Sequence, residues 1–284
     1  MKTRVITAIV ALFIFLPVLY FSGTWVFPLA IGLLAAIAGY EMSGCVLESK
    51  KWYVTMPAAA FAFLFTASAR IGDFLPELAE NLPTPTLLFI LIAIYVFYNM
   101  LITVAAIGKV GAKQIMTGAA LTVFAAIAFY GFVSVRDNAK CDYLLILIIA
   151  WMTDTFAIFG GKFFGKKKLC PNLSPKKTVA GMISGIVGAV VGTLIYSLVM
   201  NIAFDGGMNY LIYGALAIPA SLIAQLGDLS ASAVKRDCGV KDYGKLFPGH
   251  GGVTDRFDSV MLLSVATMLF LMVAEAFDKF GNIL

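Results

Sequence analysis

The sequence predicts an all-α, polytopic integral membrane protein with about nine transmembrane helices. Hydrophobic residues make up 61% of the chain and charged residues 13%, and the mean hydropathy is +0.92. Soluble domains carry about 25% charged residues. The apolar residues also form runs of about 20, the length that crosses a bilayer as a helix. Lysine and arginine favour alternate connections between these runs, as expected for a membrane protein of fixed orientation.

The apolar runs predict nine spans in order along the chain. The third is the weakest, because it is alanine-rich and contains Pro57. The first follows the residues MKTR, but its length, Pro17 and the lack of a small-x-small cleavage site favour a membrane helix over a signal peptide. The runs lie near residues 5–21, 25–44, 52–69, 86–107, 115–135, 143–161, 179–200, 209–226 and 257–277.

The basic residues predict the orientation of these spans. With the N-terminus inside the cell, 17 of the 21 lysines and arginines fall on the cytoplasmic side. We therefore expect a multi-pass protein of the inner (cytoplasmic) membrane, with its N-terminus inside and its C-terminus outside. The net charge of +5 is then a topology signal. No basic stripe interleaved with aromatic residues suggests a nucleic-acid partner.

The four cysteines predict no disulfide framework. Cys45, Cys141, Cys170 and Cys238 show no C-x-x-C spacing, and three of them fall in or beside predicted cytoplasmic loops. Reduced, unpaired thiols are the expected state there.

Polar residues divide the chain into two regions of different character. Residues 1–142 are predicted to form a scaffold of transmembrane helices, and residues 143–284 a catalytic region with cytoplasmic loops 162–178 and 227–256. Asp154 lies inside an apolar run of the second region. A charged carboxylate there costs about 2.5–3.5 kcal/mol, so it should face a polar cavity or a partner. A neutral Asp154 bonded to a neighbouring helix is the alternative.

The loop 162–178 contains six lysines, threaded with glycines and prolines. Attraction to anionic headgroups explains Lys166 to Lys168 as well as a binding role does. Ser174, Lys177 and Thr178 are stronger candidates, because cations and hydroxyls stand directly before the next helix. That helix carries Gly181, Gly185, Gly188 and Gly192, a pattern typical of close helix packing.

Two carboxylates, Asp228 and Asp255, are predicted at the same cytoplasmic interface. Mg²⁺ binds through one or two carboxylates together with substrate phosphates and water, so these are candidate ligands. Gly251 and Gly252, in the string GHGG, let the backbone approach a polyphosphate closely. The neighbouring side chains that can neutralise phosphoryl charge are Lys235, Arg236, Lys241, Lys245 and Arg256. His250 lies in the same polar loop. These residues predict metal-assisted chemistry on a phosphate-bearing substrate, whose identity stays open.

A segment of the chain resembles a known family. Residues 232–258, the signature segment, read SAVKRDCGVKDYGKLFPGHGGVTDRFD. They are similar to the signature of phosphatidate cytidylyltransferases, the CDP-diglyceride synthases, in the pattern S-x-x-K-R-x4-K-D through P-x-H-G-G-x-x-D-R-x-D. Asp154 and FGKKKLCPNLSPKKT resemble the family's second polar region.

The resemblance implies a reaction and roles for residues. CTP and phosphatidate, the latter a membrane lipid, would give CDP-diacylglycerol and pyrophosphate with Mg²⁺, a second cation being left open. The implied metal ligands are Asp228 and Asp255, with Asp258 and Asp154 as further contributors. Implied triphosphate or pyrophosphate contacts come from Lys235, Arg236, Lys241 and Arg256, with a phosphate or water contact from His250. Ser174, Lys177, Thr178, Gly251 and Gly252 would help to bind nucleotide or the lipid phosphate. The acyl-chain preference, the choice between CTP and dCTP, and the formation of a homodimer stay open.

The resemblance has one departure, at Ala180. The family usually has an acidic residue at this position, two residues after the threonine of S-P-x-K-T. A family member of reduced activity is therefore one alternative, and another carboxylate such as Asp154 could suffice. A cation-coupled transporter or channel is a second alternative, because intramembrane acids also line ion pathways. A CDP-alcohol phosphotransferase is disfavoured, since its pattern D-G-x2-A-R-x8-G-x3-D-x3-D does not occur.

Overall fold

Long helices dominate the structure, a computed structural model that describes residues 10, 13–47, 51–139, 142–171, 173–249 and 251–281. The chain forms two compact units. Unit 1 comprises residues 1–137 and 238–257, and unit 2 comprises residues 138–237 and 258–284. The expected division into a scaffold and a catalytic region is a functional one and stays a prediction.

The helices follow the apolar runs closely. Residues 13–20 are helical, and a 3₁₀ turn spans Ser68–Asp73. The α-helices of unit 1 are α1 (Val26–Cys45), α2 (Trp52–Ala67), α3 (Pro76–Asn81), α4 (Thr84–Ala105) and α5 (Ala112–Ala139), the last ending just inside unit 2. Those that follow are α6 (Tyr143–Phe164), α7 (Val179–Phe204), α8 (Tyr210–Asp237) and α9 (Thr254–Gly281).

Eight helices in the described residues are long and apolar enough to cross a membrane. They correspond to the second through ninth predicted runs, so the prediction of an all-α, polytopic membrane protein is confirmed. Of the first run, 5–21, the structure describes residues 10 and 13–21, of which 10 and 13–20 are helical. The orientation of the termini stays a prediction.

Helix α2 forms in spite of Pro57, the feature that weakened its prediction. Proline has no N–H to donate to the carbonyl four residues earlier, here that of Tyr53. The hydroxyl of Tyr98, in α4, donates a hydrogen bond to the Tyr53 carbonyl at 2.5 Å instead. A neighbouring helix therefore satisfies the group that Pro57 leaves without its helical partner.

Two polar stretches are more ordered than their composition suggested. Helix α8 continues to Asp237, eleven residues beyond its apolar run, with Lys235 and Arg236 in its last turn. Cations there interact favourably with the helix dipole, and hydropathy does not limit a helix that leaves the apolar layer. The lysine-rich loop contains a short antiparallel hairpin, β1 (Lys168–Cys170) and β2 (Ser174–Thr178).

Unit 1 has a core of aromatic and small residues. The rings of Phe61, in α2, and Tyr95, in α4, stack at 4.2 Å between centroids. A Cβ added at Gly39, in α1, would lie 3.0 Å from the carbonyl oxygen of Ala58, in α2. Small side chains thus let α1 and α2 approach closely, which fixes the position of the C-terminal end of α1.

Unit 2 depends on the predicted glycine stripe of α7. A Cβ at Gly185 would lie 3.0 Å from the carbonyl oxygen of Thr153, and one at Gly192 would lie 2.7 Å from Met152 Cγ. Both neighbours belong to α6. The interpretation of this stripe as a packing surface is confirmed, and the close packing holds the hairpin at one end of the pair of helices.

Candidate active site

Asp228 and Lys177 form the centre of the site in unit 2. The Lys177 Nζ lies 2.5 Å from the Asp228 Oδ2, and each side chain keeps 27% of its surface exposed. The Ser232 hydroxyl donates to Asp228 Oδ1 at 3.4 Å from the next turn of α8. Two candidates from separate predicted loops are therefore in direct contact, one from β2 and one from α8.

A glycine brings α8 against the beginning of the unit 2 part of α9. A Cβ added at Gly227 would lie 2.7 Å from the carbonyl oxygen of Asp258. This close approach places Asp258 within electrostatic range of Asp228, Lys235 and Asp154. Lys235 is only 9% exposed, so little water screens its interaction with Asp258. Four predicted site residues thus form one mixed-charge cluster.

The junction between the hairpin and α7 supplies the next part of the site. The Gly181 N–H donates to Thr178 Oγ1 at 3.0 Å, so Thr178 is the N-cap of α7. A Cβ at Gly161 would lie 3.1 Å from the same Oγ1. Ser174 pairs with Cys170 across the hairpin. Thr178 thus serves as a buried structural cap, whereas the nucleotide contact predicted for it stays a prediction.

Buried polar groups connect the helices that carry Asp154 and Asp228. The hydroxyls of Thr153 and Ser221 lie 2.9 Å apart, and Gln225 Nε2 donates to Ser221 Oγ at 3.3 Å. Gln225 also donates to the Met182 carbonyl at 3.3 Å. These bonds join α6, α7 and α8, and Asp154 and Asp228 lie on the first and the last of these helices.

Asp255 is held by the backbone of unit 1. Its Oδ2 accepts hydrogen bonds from the N–H groups of Tyr243 at 2.8 Å and Gly252 at 2.9 Å. The side chain is 7% exposed. Residues 238–253, the connecting loop between α8 and α9, are therefore fastened to the first turn of α9 at Asp255.

The connecting loop folds back on itself around the GHGG string. Phe247 and Gly251 form an antiparallel bridge, with N–H···O distances of 2.8 and 3.1 Å. Gly249 and Gly251 have φ of 78° and 88°, which only glycine adopts readily. Lys241 and Arg256 are exposed, as is Arg236 on α8. His250 lies outside the described residues, so its predicted phosphate or water contact stays a prediction.

Glu41, in α1, belongs to this region, although the sequence interpretation assigned it to the scaffold. Its Oε1 accepts from the Val253 N–H at 3.1 Å and its Oε2 from the Thr254 N–H at 2.9 Å. The residue is 4% exposed. The sequence contained an indication that Glu41 has a partner, because a carboxylate within an apolar run is costly without one. The same argument had identified Asp154.

The acids suit Mg²⁺ as part of a ligand set. Among the described residues, no three His, Cys, Asp or Glu side chains are grouped so as to enclose a metal ion. Mg²⁺ usually keeps several waters and takes one or two carboxylates plus substrate phosphates, so such a group is not required. Asp228 and Asp258 provide hard oxygen ligands near Lys177 and Lys235, cations that suit phosphate. The metal roles of Asp154, Asp228, Asp255 and Asp258 stay predictions.

Comparison with known proteins identifies the family. Residues 2–274 match the cytidylyltransferase family. The chain belongs to this family. It is similar to proteins named phosphatidate cytidylyltransferase from Staphylococcus haemolyticus (strain JCSC1435), Staphylococcus aureus (strain COL) and Staphylococcus epidermidis (strain ATCC 12228 / FDA PCI 1200). Each is 35% identical over 263 residues, covering 93% of this chain and 96% of the relative. The predicted family is confirmed, and the similarity includes the first half of the chain.

Proposed function

We propose that this membrane protein is an enzyme that transfers the cytidylyl group of CTP to phosphatidate. The products are CDP-diacylglycerol and pyrophosphate. The family and the names of its relatives support this reaction. The observation that carries the proposal from the structure is the contact between Lys177 and Asp228, with Asp258 and Lys235 nearby. This cluster combines groups that bind phosphate with groups that bind a cation.

The reaction requires positioning more than proton transfer. A phosphate oxygen of phosphatidate attacks the α-phosphorus of CTP and forms a new P–O bond. The bond between the α-phosphorus and the bridging oxygen breaks, and its electron pair leaves with pyrophosphate. The nucleophile is already anionic, so no strong base is needed. Alignment of the two substrates and neutralisation of charge lower the barrier.

Basic residues supply the neutralisation. Lys177 is exposed enough to exchange its partner Asp228 for a phosphate oxygen, because the pair keeps contact with water. Lys235 offsets part of the negative charge of Asp154, Asp228 and Asp258. We assign triphosphate and pyrophosphate contacts to Lys177, Lys235 and Arg236 in unit 2 and to Lys241 and Arg256 in unit 1. We assign nucleotide or lipid-phosphate contacts to Ser174 and Gly252.

A divalent cation completes the proposed site. In unit 2, Asp228 and Asp258 would hold it, with Asp154 as a further contributor, and the family resemblance assigns Asp255 a role as a metal ligand too. When bound, Mg²⁺ withdraws electron density from the phosphoryl oxygens and favours departure of pyrophosphate. The protein's own part is to fix the carboxylates, through the backbone bonds to Asp255 and the close contact at Gly227.

The site is proposed to open to the cytoplasm and to the lipid. Most of the basic residues lie on one side of the predicted topology, and CTP is a cytoplasmic substrate. Phosphatidate would enter sideways from the bilayer. Thiol labelling tests the orientation: in cysteine-free protein, a new cysteine at Lys166 should react with a membrane-impermeant reagent only in inside-out vesicles. Reaction in right-side-out vesicles would contradict the proposed face.

Pyrophosphate release by purified protein in detergent tests the reaction. Phosphatidate, Mg²⁺ and CTP should together give pyrophosphate, and replacing CTP by ATP or omitting the lipid should abolish it. Release that depends on neither lipid nor nucleotide identity would contradict the proposal. A folded protein without turnover would be tested again as the Ala180→Glu variant, and inactivity of that variant would reject the reaction.

A further inference from the structure

We propose that Glu41 is a positioning residue, whose buried carboxylate sets the start of α9 and thereby the orientation of Asp255. The inference rests on the proposed function, in which Asp255 contacts the cation. Glu41 lies in α1, about 210 residues away in sequence from the groups that it binds. It touches the backbone of the site and has no direct role in the bond-making step.

The hydrogen bonds of Glu41 match the needs of a helix N-terminus. The carbonyl of Val253 accepts from the N–H groups of Arg256 and Phe257, so Val253 is the N-cap of α9. The N–H groups of Val253 and Thr254 have no partner within the helix, and Glu41 accepts both. A negative charge there also interacts favourably with the helix dipole. Glu41 thus caps α9 from another helix.

Two glycines leave room for this carboxylate. A Cβ added at Gly244 would lie 2.7 Å from Glu41 Cδ, and a Cβ at Gly252 would also collide with the Glu41 carboxylate. Neither glycine has a positive φ, so backbone conformation does not explain them. The connecting loop therefore encloses the Glu41 carboxylate between Gly244 and Gly252.

The same region contains the acid that Glu41 positions. Gly252 donates its N–H to Asp255, while the next two N–H groups donate to Glu41. Asp255 lies within electrostatic range of Glu41. A shift of the backbone at 253 or 254 would therefore move Gly252 and change the support of Asp255. Scaffold helices do not need a buried carboxylate, which is costly without such bonds.

Glu41→Gln tests the inference with a small change in volume. Glutamine keeps one acceptor oxygen but presents an N–H₂ group to a backbone N–H, so one of the two bonds is lost. We expect kcat to fall about 100-fold, as for a misplacement of about 1 Å. The yield of folded protein in gel filtration should stay within about twofold. Glu80→Gln, the same change at an exposed residue of unit 1, should leave kcat unchanged. Wild-type kcat for Glu41→Gln, or a loss only in proportion to folded protein, would overturn the inference.

A double mutant cycle gives a second test that needs no Gln variant. Gly244→Ala alone should lower kcat about tenfold, because the new methyl group displaces the Glu41 carboxylate. In a Glu41→Ala background the same change should have little further effect, since the carboxylate is absent. Strictly additive effects would show that Gly244 and Glu41 act independently, which would overturn the inference.

Amide hydrogen exchange separates this inference from the proposed reaction. In the wild-type protein, the peptide 244–257 should be protected, and Glu41→Gln should speed its exchange at least about tenfold, with Glu80→Gln without effect. The result does not depend on CTP. If the wild-type protein shows no cytidylyl transfer, the proposed reaction is rejected. Faster exchange in the Glu41→Gln variant would still support the role of Glu41. Unchanged exchange would overturn that role whatever the activity.

Discussion

Asp228 and Asp255, two acids predicted to be metal ligands, are held in different ways. Asp255 is buried and accepts two backbone N–H groups, so its carboxylate cannot turn without moving the chain. Asp228 is partly exposed and pairs with a flexible lysine. The difference indicates that the two acids have different roles. We expect Asp255 to act as a fixed anchor, and we expect the pair of Asp228 with Lys177 to separate when a triphosphate binds.

The largest expected effect comes from removing the fixed anchor. Asp255→Asn removes the charge but keeps one oxygen, and a single oxygen, Oδ2, already accepts from both backbone N–H groups in the wild-type protein. We expect CTP-dependent pyrophosphate release to fall at least about 1000-fold, as when preorganised electrostatic groups are lost. The variant should still elute as folded protein in detergent. Asp73→Asn, at an exposed acid of unit 1, is the control and should be fully active. Turnover by Asp255→Asn near the wild-type rate would disprove its assignment as a metal ligand.

Removing Lys177 from its ion pair with Asp228 should have a smaller effect, on the binding of CTP. Lys177→Gln should raise KM for CTP about tenfold, equivalent to about 1.4 kcal/mol. Stability should change little, because partly exposed ion pairs contribute about 0–1 kcal/mol. Lys176→Gln is the matched control, since neighbouring residues on a strand face opposite sides. Equal KM values for the two variants would show that the contact with Asp228 has no role in binding CTP.

Variants at Ala180 test whether the cluster of Asp154, Asp228, Lys235 and Asp258 in unit 2 lacks an acid. It is the second residue of α7, where a carboxylate interacts favourably with the helix N-terminus by about 0.3–1 kcal/mol. We expect Ala180→Glu to lower the Mg²⁺ concentration for half-maximal turnover two- to fivefold, about 0.4–1 kcal/mol, because an added carboxylate is a further ligand for the cation. Ala180→Gln separates charge from size. A higher Mg²⁺ requirement in the Glu variant would mean that repulsion among the acids outweighs the added ligand.

The smallest effect on turnover is expected from replacing the thiols of Cys45 and Cys238. Cys45 and Cys238 lie with their sulfurs 3.6 Å apart, a distance for free thiols and not for a disulfide. The predicted reduced state therefore agrees with the structure at these two positions. Replacing either by serine should leave turnover within about twofold, because neither thiol takes part in the proposed reaction. Diamide, a thiol oxidant, should join them in wild-type protein, as mass spectrometry would detect. Absence of the cross-link would contradict the proximity of α1 to the start of the connecting loop.

The sequence predicted most of the fold because apolar length determines a membrane helix. It placed α6 and α7 within a few residues of their ends. It missed the extension of α8 to Asp237 and the hairpin, because hydropathy says nothing about polar residues beyond the apolar layer. The glycine stripe of α7 was predictable from spacing alone. No local pattern could reveal that Lys177 would contact Asp228, since that contact depends on how α6, α7 and α8 pack.

The candidate site was predicted unevenly for a similar reason. Residues of the signature segment were recognised by their density of charge and glycine. Glu41 was missed because one acid in an apolar run of the first half was treated as scaffold, although its partners lie in the signature segment. Gly227 and Gly244 were missed too, because their function is to leave space for Asp258 and Glu41. Space of this kind is visible only in three dimensions.

Transfer of label from CTP to lipid tests the central claim most directly. Purified protein would be given phosphatidate, Mg²⁺ and CTP labelled at either the α- or the γ-phosphorus, followed by extraction into organic solvent. The proposed reaction predicts that α-label enters the lipid phase as CDP-diacylglycerol, while γ-label stays in water as pyrophosphate. Gamma-label in the lipid would indicate phosphoryl transfer instead. The account would be contradicted if no label entered the lipid when the protein was folded, both for the wild-type protein and for the Ala180→Glu variant.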